Sequence, residues 1–156
     1  MENSNQIAIR VKEVFLNGTW IANTNYKDAL SKVTWQQATK KIGALNTIAA
    51  LTYHINYYVA GVLNVFEGGT LDIKDKYSFD LPPIQSKEEW EKLLSTFLIN
   101  AEKFVSHIEL MPENKLEEVF VKEAYGSYRR NIEGMIEHSY YHLGQVSLIK
   151  KMISEL

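Results

Sequence analysis

The chain has 156 residues, 46% of them apolar and 23% charged, with no cysteine, a formal charge of −2 and a pI near 6.1. That balance suits one globular domain, 1–156, and excludes wholesale disorder, a disulfide framework, a thiolate metal site and a cysteine nucleophile. The slightly acidic charge also speaks against nucleic acid as a partner, because gripping a phosphate backbone requires a basic face.

The opening Met1-Glu2-Asn3-Ser4 is polar and carries no basic lead into an apolar run, so no signal peptide is expected. The first helical stripe runs from about Ser4 to Leu16 through Ile7, Val11, Val14 and Phe15, and Gly18 ends it. A poorly patterned stretch follows through Asn23-Thr24-Asn25. Thr34-Trp35-Gln36-Gln37 then reads as a capping box opening a short helix.

Gly43 and Asn46 predict a break before a second long helix, from about Asn46 to Glu67. Its stripe is Ile48, Leu51, Ile55, Val59, Val62 and Phe66. This is the most apolar part of the chain. Thr52, His54, Asn56 and Asn64 interrupt it before it reaches the roughly 20 residues a membrane span needs. No membrane partner is expected, and a cytoplasmic protein is the expectation. Gly68-Gly69 closes the helix, since glycine accepts the left-handed cap.

A long connection follows over residues 70–85, containing Pro82-Pro83. Extended, it reaches roughly 50 Å at about 3.3 Å per residue, whereas the helix before it is about 33 Å long. It can therefore travel the whole helix, and either direction of the next helix stays open. Ser86-Lys87-Glu88-Glu89 starts a third helix with the stripe Trp90, Leu93, Leu94, Phe97, Ala101, Phe104, Val105, Ile108 and Met111, stopped at Pro112. A linker from about Glu113 to Gly126 has room for a short extended piece. The last helix runs from about Ser127, with Ile132, Met135, Ile136, Leu143, Val146, Ile149 and Ile153 in its stripe. Four amphipathic helices without a strand signal predict an all-α four-helix bundle with a long connection between its second and third helices.

The four histidines are His54, His107, His138 and His142. His138 and His142 stand four apart, so on a helix their Cβ atoms lie about 5–6 Å from each other, close enough for both rings to hold one ion. Both fall on one edge of the last helix's apolar stripe, and His54 flanks the stripe of the second helix. If those edges face each other, the three rings meet. Otherwise His54 is a hydrogen-bonded core or boundary residue. His107 reads as a surface or boundary residue. Tyr53, Tyr57, Tyr58, Tyr140 and Tyr141 read as packing residues.

The run Gly134-Met135-Ile136-Glu137-His138-Ser139-Tyr140-Tyr141-His142-Leu143-Gly144-Gln145-Val146, followed by Leu148-Ile149-Lys150-Lys151, resembles the last helix of DinB/YfiT-like proteins. Asn46-Thr47-Ile48 leading to His54 resembles that family's second helix, and Trp35-Gln36-Gln37-Ala38 the segment before it. The resemblance implies a DinB/YfiT-like four-helix bundle, often a homodimer, with His54, His138 and His142 as metal ligands. Some relatives carry a carboxylate where His138 stands. It further implies a reaction class, since the family includes transferases and isomerases that use bacillithiol or mycothiol. A low-molecular-weight thiol and a small electrophilic substrate are then the expected partners.

Three neutral imidazoles leave at least one coordination position open, as catalytic sites do. Histidine donors suit zinc, nickel, iron and copper; zinc or nickel is the first expectation for the divalent ion and iron the next. Competing motifs are missing: there is no HExxH, no Glu-x-x-His pair and no glycine-rich phosphate loop. The alternative of another class is a non-catalytic interaction or dimerisation module in which the ion clips two helices together.

Overall fold

A computed structural model describes all residues 1–156, and the chain is all-helical. Its elements in order are α1 (Ser4–Lys12), continued by a π-helical turn over Glu13–Asn17, α2 (Tyr26–Leu30), α3 (Trp35–Ala38), α4 (Ile48–Phe66), α5 (Lys87–Glu109), α6 (Glu113–Leu116) and α7 (Tyr128–Ser154). The four stripes read from the sequence correspond to α1 with its π turn, α4, α5 and α7. The capping box at Thr34 is present with both of its hydrogen bonds and opens α3. At the end of α4, Gly68 takes φ +91°. The Gly69 N–H donates to the Asn64 carbonyl at 2.8 Å and the Gly68 N–H to that of Val65 at 3.0 Å, which closes the helix and frees the chain to turn.

Two short helices lie where no periodicity is visible. Five residues in α2 and four in α6 are too few turns to register a stripe; Asn25 caps α2, and α6 follows Pro112 with no side-chain cap. Asn25 accepts from the Asp28 N–H at 2.9 Å. The linker before α7 does hold an extended piece, an isolated antiparallel bridge between Val119 and Ser127.

The four long segments form a closed ring: α1 packs on α5 and α7, and α4 packs on α5 and α7. Cross-contacts give the directions. Ser4 Oγ donates to the Met111 carbonyl while Phe15 meets Phe97, so α1 and α5 are antiparallel. His54 lies at His138 and His142 while Phe66 lies at Tyr128, so α4 and α7 are antiparallel. Asn56 meets Asn100 and Phe66 stacks on Phe104, so α4 and α5 run parallel. The connection between them must therefore return along the full helix length, and in doing so it passes over the face of α4 that bears His54.

One cluster of 31 buried apolar residues fills the interior, from Ile7 on α1 to Ile149 on α7. Phe15, Tyr26 and Phe97 pack edge-to-face or tilted at 5.4–5.7 Å near its centre. The polar ends of its large aromatics are satisfied: the Tyr26 hydroxyl donates to the Ser139 carbonyl at 2.7 Å and the Trp90 indole to that of Val33 at 2.9 Å. The first of these bonds ties α2 to α7 within the turn that carries the histidine pair.

Candidate metal centre

His54 comes from the middle of α4, and His138 and His142 from one face of α7. Antiparallel packing brings the three together. Their ligand nitrogens all lie within 4.8 Å of one another, an arrangement that can hold a metal ion. His138 Nε2 stands 3.2 Å from His54 Nε2 and 3.0 Å from His142 Nε2. Two donors held by one ion at about 2.0–2.1 Å in a tetrahedral array stand about 3.3 Å apart, so each of these two spacings matches a pair of donors sharing one cation.

The outer ring nitrogens explain why the inner ones converge. His54 Nδ1 faces the Ser78 carbonyl at 3.3 Å, and His142 Nδ1 faces Gln145 Oε1 at 2.7 Å. Both partners are acceptors, which favours the tautomer with its proton on Nδ1 and leaves Nε2 as a lone pair. A single proton on His138 Nε2 can serve only one of those two lone pairs. The other contact then sets two lone pairs face to face, a repulsion that a bound cation would relieve.

Burial biases two of the rings the same way. His54 and His142 are 6% and 7% exposed, and His138 is half-buried. Burial, then the neighbouring His142 and His138, lowers the His54 pKa to about 4. Burial followed by His142 lowers that of His138. His54 and His138 are thus held neutral, the form that ligates metal.

The crossing connection completes the surroundings. Phe79 stacks on His54 with ring centroids 4.0 Å apart, beside the Ser78 carbonyl. The Tyr58 hydroxyl donates to Asp75 Oδ1 at 2.9 Å, while its ring packs edge-on against His54 and His138 at 5.1 and 5.4 Å. Tyr58, read from the sequence as a packing residue, thus packs on the site itself. Tyr141 packs on His142 at 4.9 Å. His107 stands apart, 3.7 Å from Glu67 and close to Phe66.

Asp75, Ser78, Phe79 and Gln145 carry no assignment in the sequence reading. Gln145 has a signal, an amide three residues after a histidine on a helix. The other three lie in a connection without periodicity, and only the parallel direction of α5 brings them to the site.

His138 also borders an open cavity of about 540 Å³ between α4, the connection and the start of α7. No helix in the structure is long and apolar enough to cross a membrane. The chain matches no family model, no curated protein and no solved structure.

Proposed function

We propose that the chain is a metal-dependent enzyme of the DinB/YfiT-like kind, a four-helix bundle that transfers a low-molecular-weight thiol, of the bacillithiol or mycothiol type, to a small electrophile. One observation carries this reading. Three Nε2 atoms converge, the Nδ1 atoms of two of the rings face outer acceptors, and the half-buried third ring borders a cavity. A site that only braced the fold would be expected to close all four coordination positions with protein, and no fourth His, Cys or carboxylate joins the cluster.

His54, His138 and His142 would hold the ion, zinc or nickel first and iron next. When bound, the ion supplies positive charge that acidifies a thiol or water in its open position. Ser78 and Gln145 orient two of the rings, and Phe79 keeps water from the face of His54. Tyr58 and Asp75 present a hydroxyl and a carboxylate in the cavity wall beside the histidines, placed to hold a proton near the reacting end of a ligand. The resemblance in the α7 segment supports the family, the thiol chemistry and a homodimer.

The test is a cobalt-substituted sample titrated with bacillithiol. The chain has no cysteine, so a sulfur-to-metal band can come only from the added thiol. The band should vanish in His54→Ala. No spectral change at millimolar thiol, with cobalt bound, would remove the thiol chemistry.

A second reading rests on the fact that the ligands come from two helices. An ion there would clip α4 to α7, and the protein would then be a non-catalytic interaction module. It predicts a bound ion that no added small ligand reaches.

A further inference from the structure

Arg130, Gly134 and His138 follow one another at four-residue steps on α7, with His142 next, so they form one row on one face. The first three line the same cavity. At about 1.5 Å per residue, roughly 12 Å separates Arg130 from His138. The cavity volume of about 540 Å³ lies within the range of roughly 300–1,000 Å³ usual for small-molecule sites.

The middle of the row is what calls for explanation. A glycine inside a helix weakens it relative to alanine. At Gly134 no packing demands one, because a Cβ there would meet nothing within 4 Å. The missing side chain instead leaves the cavity floor open between a cation and a metal ligand. The apolar part of the lining includes Val62 of α4, Leu71 and Ile73 of the connection, Phe120, and Met135 of α7. Ile73 reaches that position because Gly61 on α4 has no Cβ, which would otherwise lie 2.5 Å from it.

The polar groups are segregated. Asp75, the one carboxylate in the wall, sits at the histidine end and already accepts from Tyr58. Arg130 starts the row, and its guanidinium pairs only with the exposed Glu137, at 3.5 Å, a contact open to water that a second anion can share or displace.

We propose that this cavity seats a small rod-shaped anionic ligand lying along α7, with its donor atom at His138, its apolar body over Gly134 and its anionic end at Arg130. Gly134 then sets which ligands fit. The donor end rests on the metal and thiol reading above; the body and the anionic end do not, and two titrations separate them.

In the first, the sulfur-to-metal band of cobalt-loaded protein is followed with 8-mercaptooctanoate, 8-mercapto-1-octanol and 2-mercaptoethanol. Each buried methylene is worth about fourfold in affinity. The long acid should therefore half-saturate at a concentration at least tenfold below that of 2-mercaptoethanol. Gly134→Leu should cost both long thiols at least tenfold and leave 2-mercaptoethanol within twofold. Arg130→Gln, a change at an exposed side chain, should weaken the acid severalfold and leave the alcohol unchanged. In the second, metal-free protein is titrated with octanoate by calorimetry, which needs neither thiol nor ion. Octanoate binding that is weakened at least tenfold by Gly134→Leu upholds the cavity even when no thiol gives a band, an outcome that removes the thiol reading alone. Where a band forms, equal half-saturation for long and short thiols overturns the proposal. Where none forms, octanoate that fails to bind, or that binds Gly134→Leu equally well, overturns it.

Discussion

His54 and Phe79 stack face to face, their planes 9° from parallel and their ring centroids 4.0 Å apart. One belongs to a helix, the other to the connection that crosses it. Together with the Ser78 carbonyl, this contact fixes the ring about two axes, so the imidazole is oriented by chain that is itself irregular.

Metal occupancy should follow the geometry. His54→Ala and His142→Ala each remove one of three donors and should lower the metal-to-protein ratio sharply. His107→Ala, whose ring pairs with Glu67 instead, should leave it unchanged. Elemental analysis of protein purified without a nickel column decides; equal occupancy in all three variants would sink the triad.

The outer partners should matter by about an order of magnitude. Gln145→Leu removes the acceptor 2.7 Å from His142 Nδ1 while keeping the helix, and should weaken metal affinity about 10-fold or more. Phe79→Ala frees the His54 ring and should act in the same direction. Competition with a chelator of known affinity measures both, and unchanged affinity in Gln145→Leu would show that the amide does not orient the ring.

Acid should destabilise the metal-free protein over a defined window. His54 in the folded chain is lowered from 6.5 to about 4, and His138 is lowered too, so between those values the unfolded chain binds more protons than the folded one. Stability therefore rises with pH across this range. The contribution is complete above about pH 6.5 and is lost as pH falls toward 4. Melting temperature should be flat near pH 7–8 and decline below, less steeply in His54→Gln. An equally steep decline in that variant would place the effect elsewhere.

Two helix-interior glycines should respond with opposite signs. Gly144 has open space around it, so Gly144→Ala should stabilise by about 0.5–1 kcal/mol. At Gly61 a Cβ would stand 2.5 Å from Ile73, so Gly61→Ala must push the connection off α4 and should destabilise despite its better helix propensity. Thermal or denaturant melts compare the two. A stabilised Gly61→Ala would mean that the connection lies more loosely than its contacts show.

If the resemblance extends to assembly, the protein is a homodimer with twice the 18.0 kDa chain mass. Light scattering across a concentration series tests this, and a constant monomer mass would end it.

Much of this was legible in the residues, for specific reasons. The stripes from Ile48 to Phe66 and from Trp90 to Met111 are long enough for a helical period to show, and both became helices. The histidine pair was legible because four-residue spacing has one meaning on a helix. That His54 faces it was implied by the resemblance alone, because an edge of a stripe does not name its neighbour; the antiparallel packing of α4 on α7 supplied the physical reason. The direction of α5 was hidden because residues 70–85 are long enough to allow either. Asp75, Ser78 and Phe79 inherit that blindness, since their place depends on where the connection runs.

His54 and His138 sit 84 residues apart, and the intervening chain includes a parallel helix pair that no tight turn can start. Such long-range closures are made slowly, against the entropy of the open chain. An ion that needs all three rings finds no site until α7 has docked on α4. Its stabilisation would then fall on the native state and not on the barrier to reaching it. Loading the site should leave the speed of folding nearly unchanged and lengthen the lifetime of the folded protein, making the centre a latch set after the structure has closed.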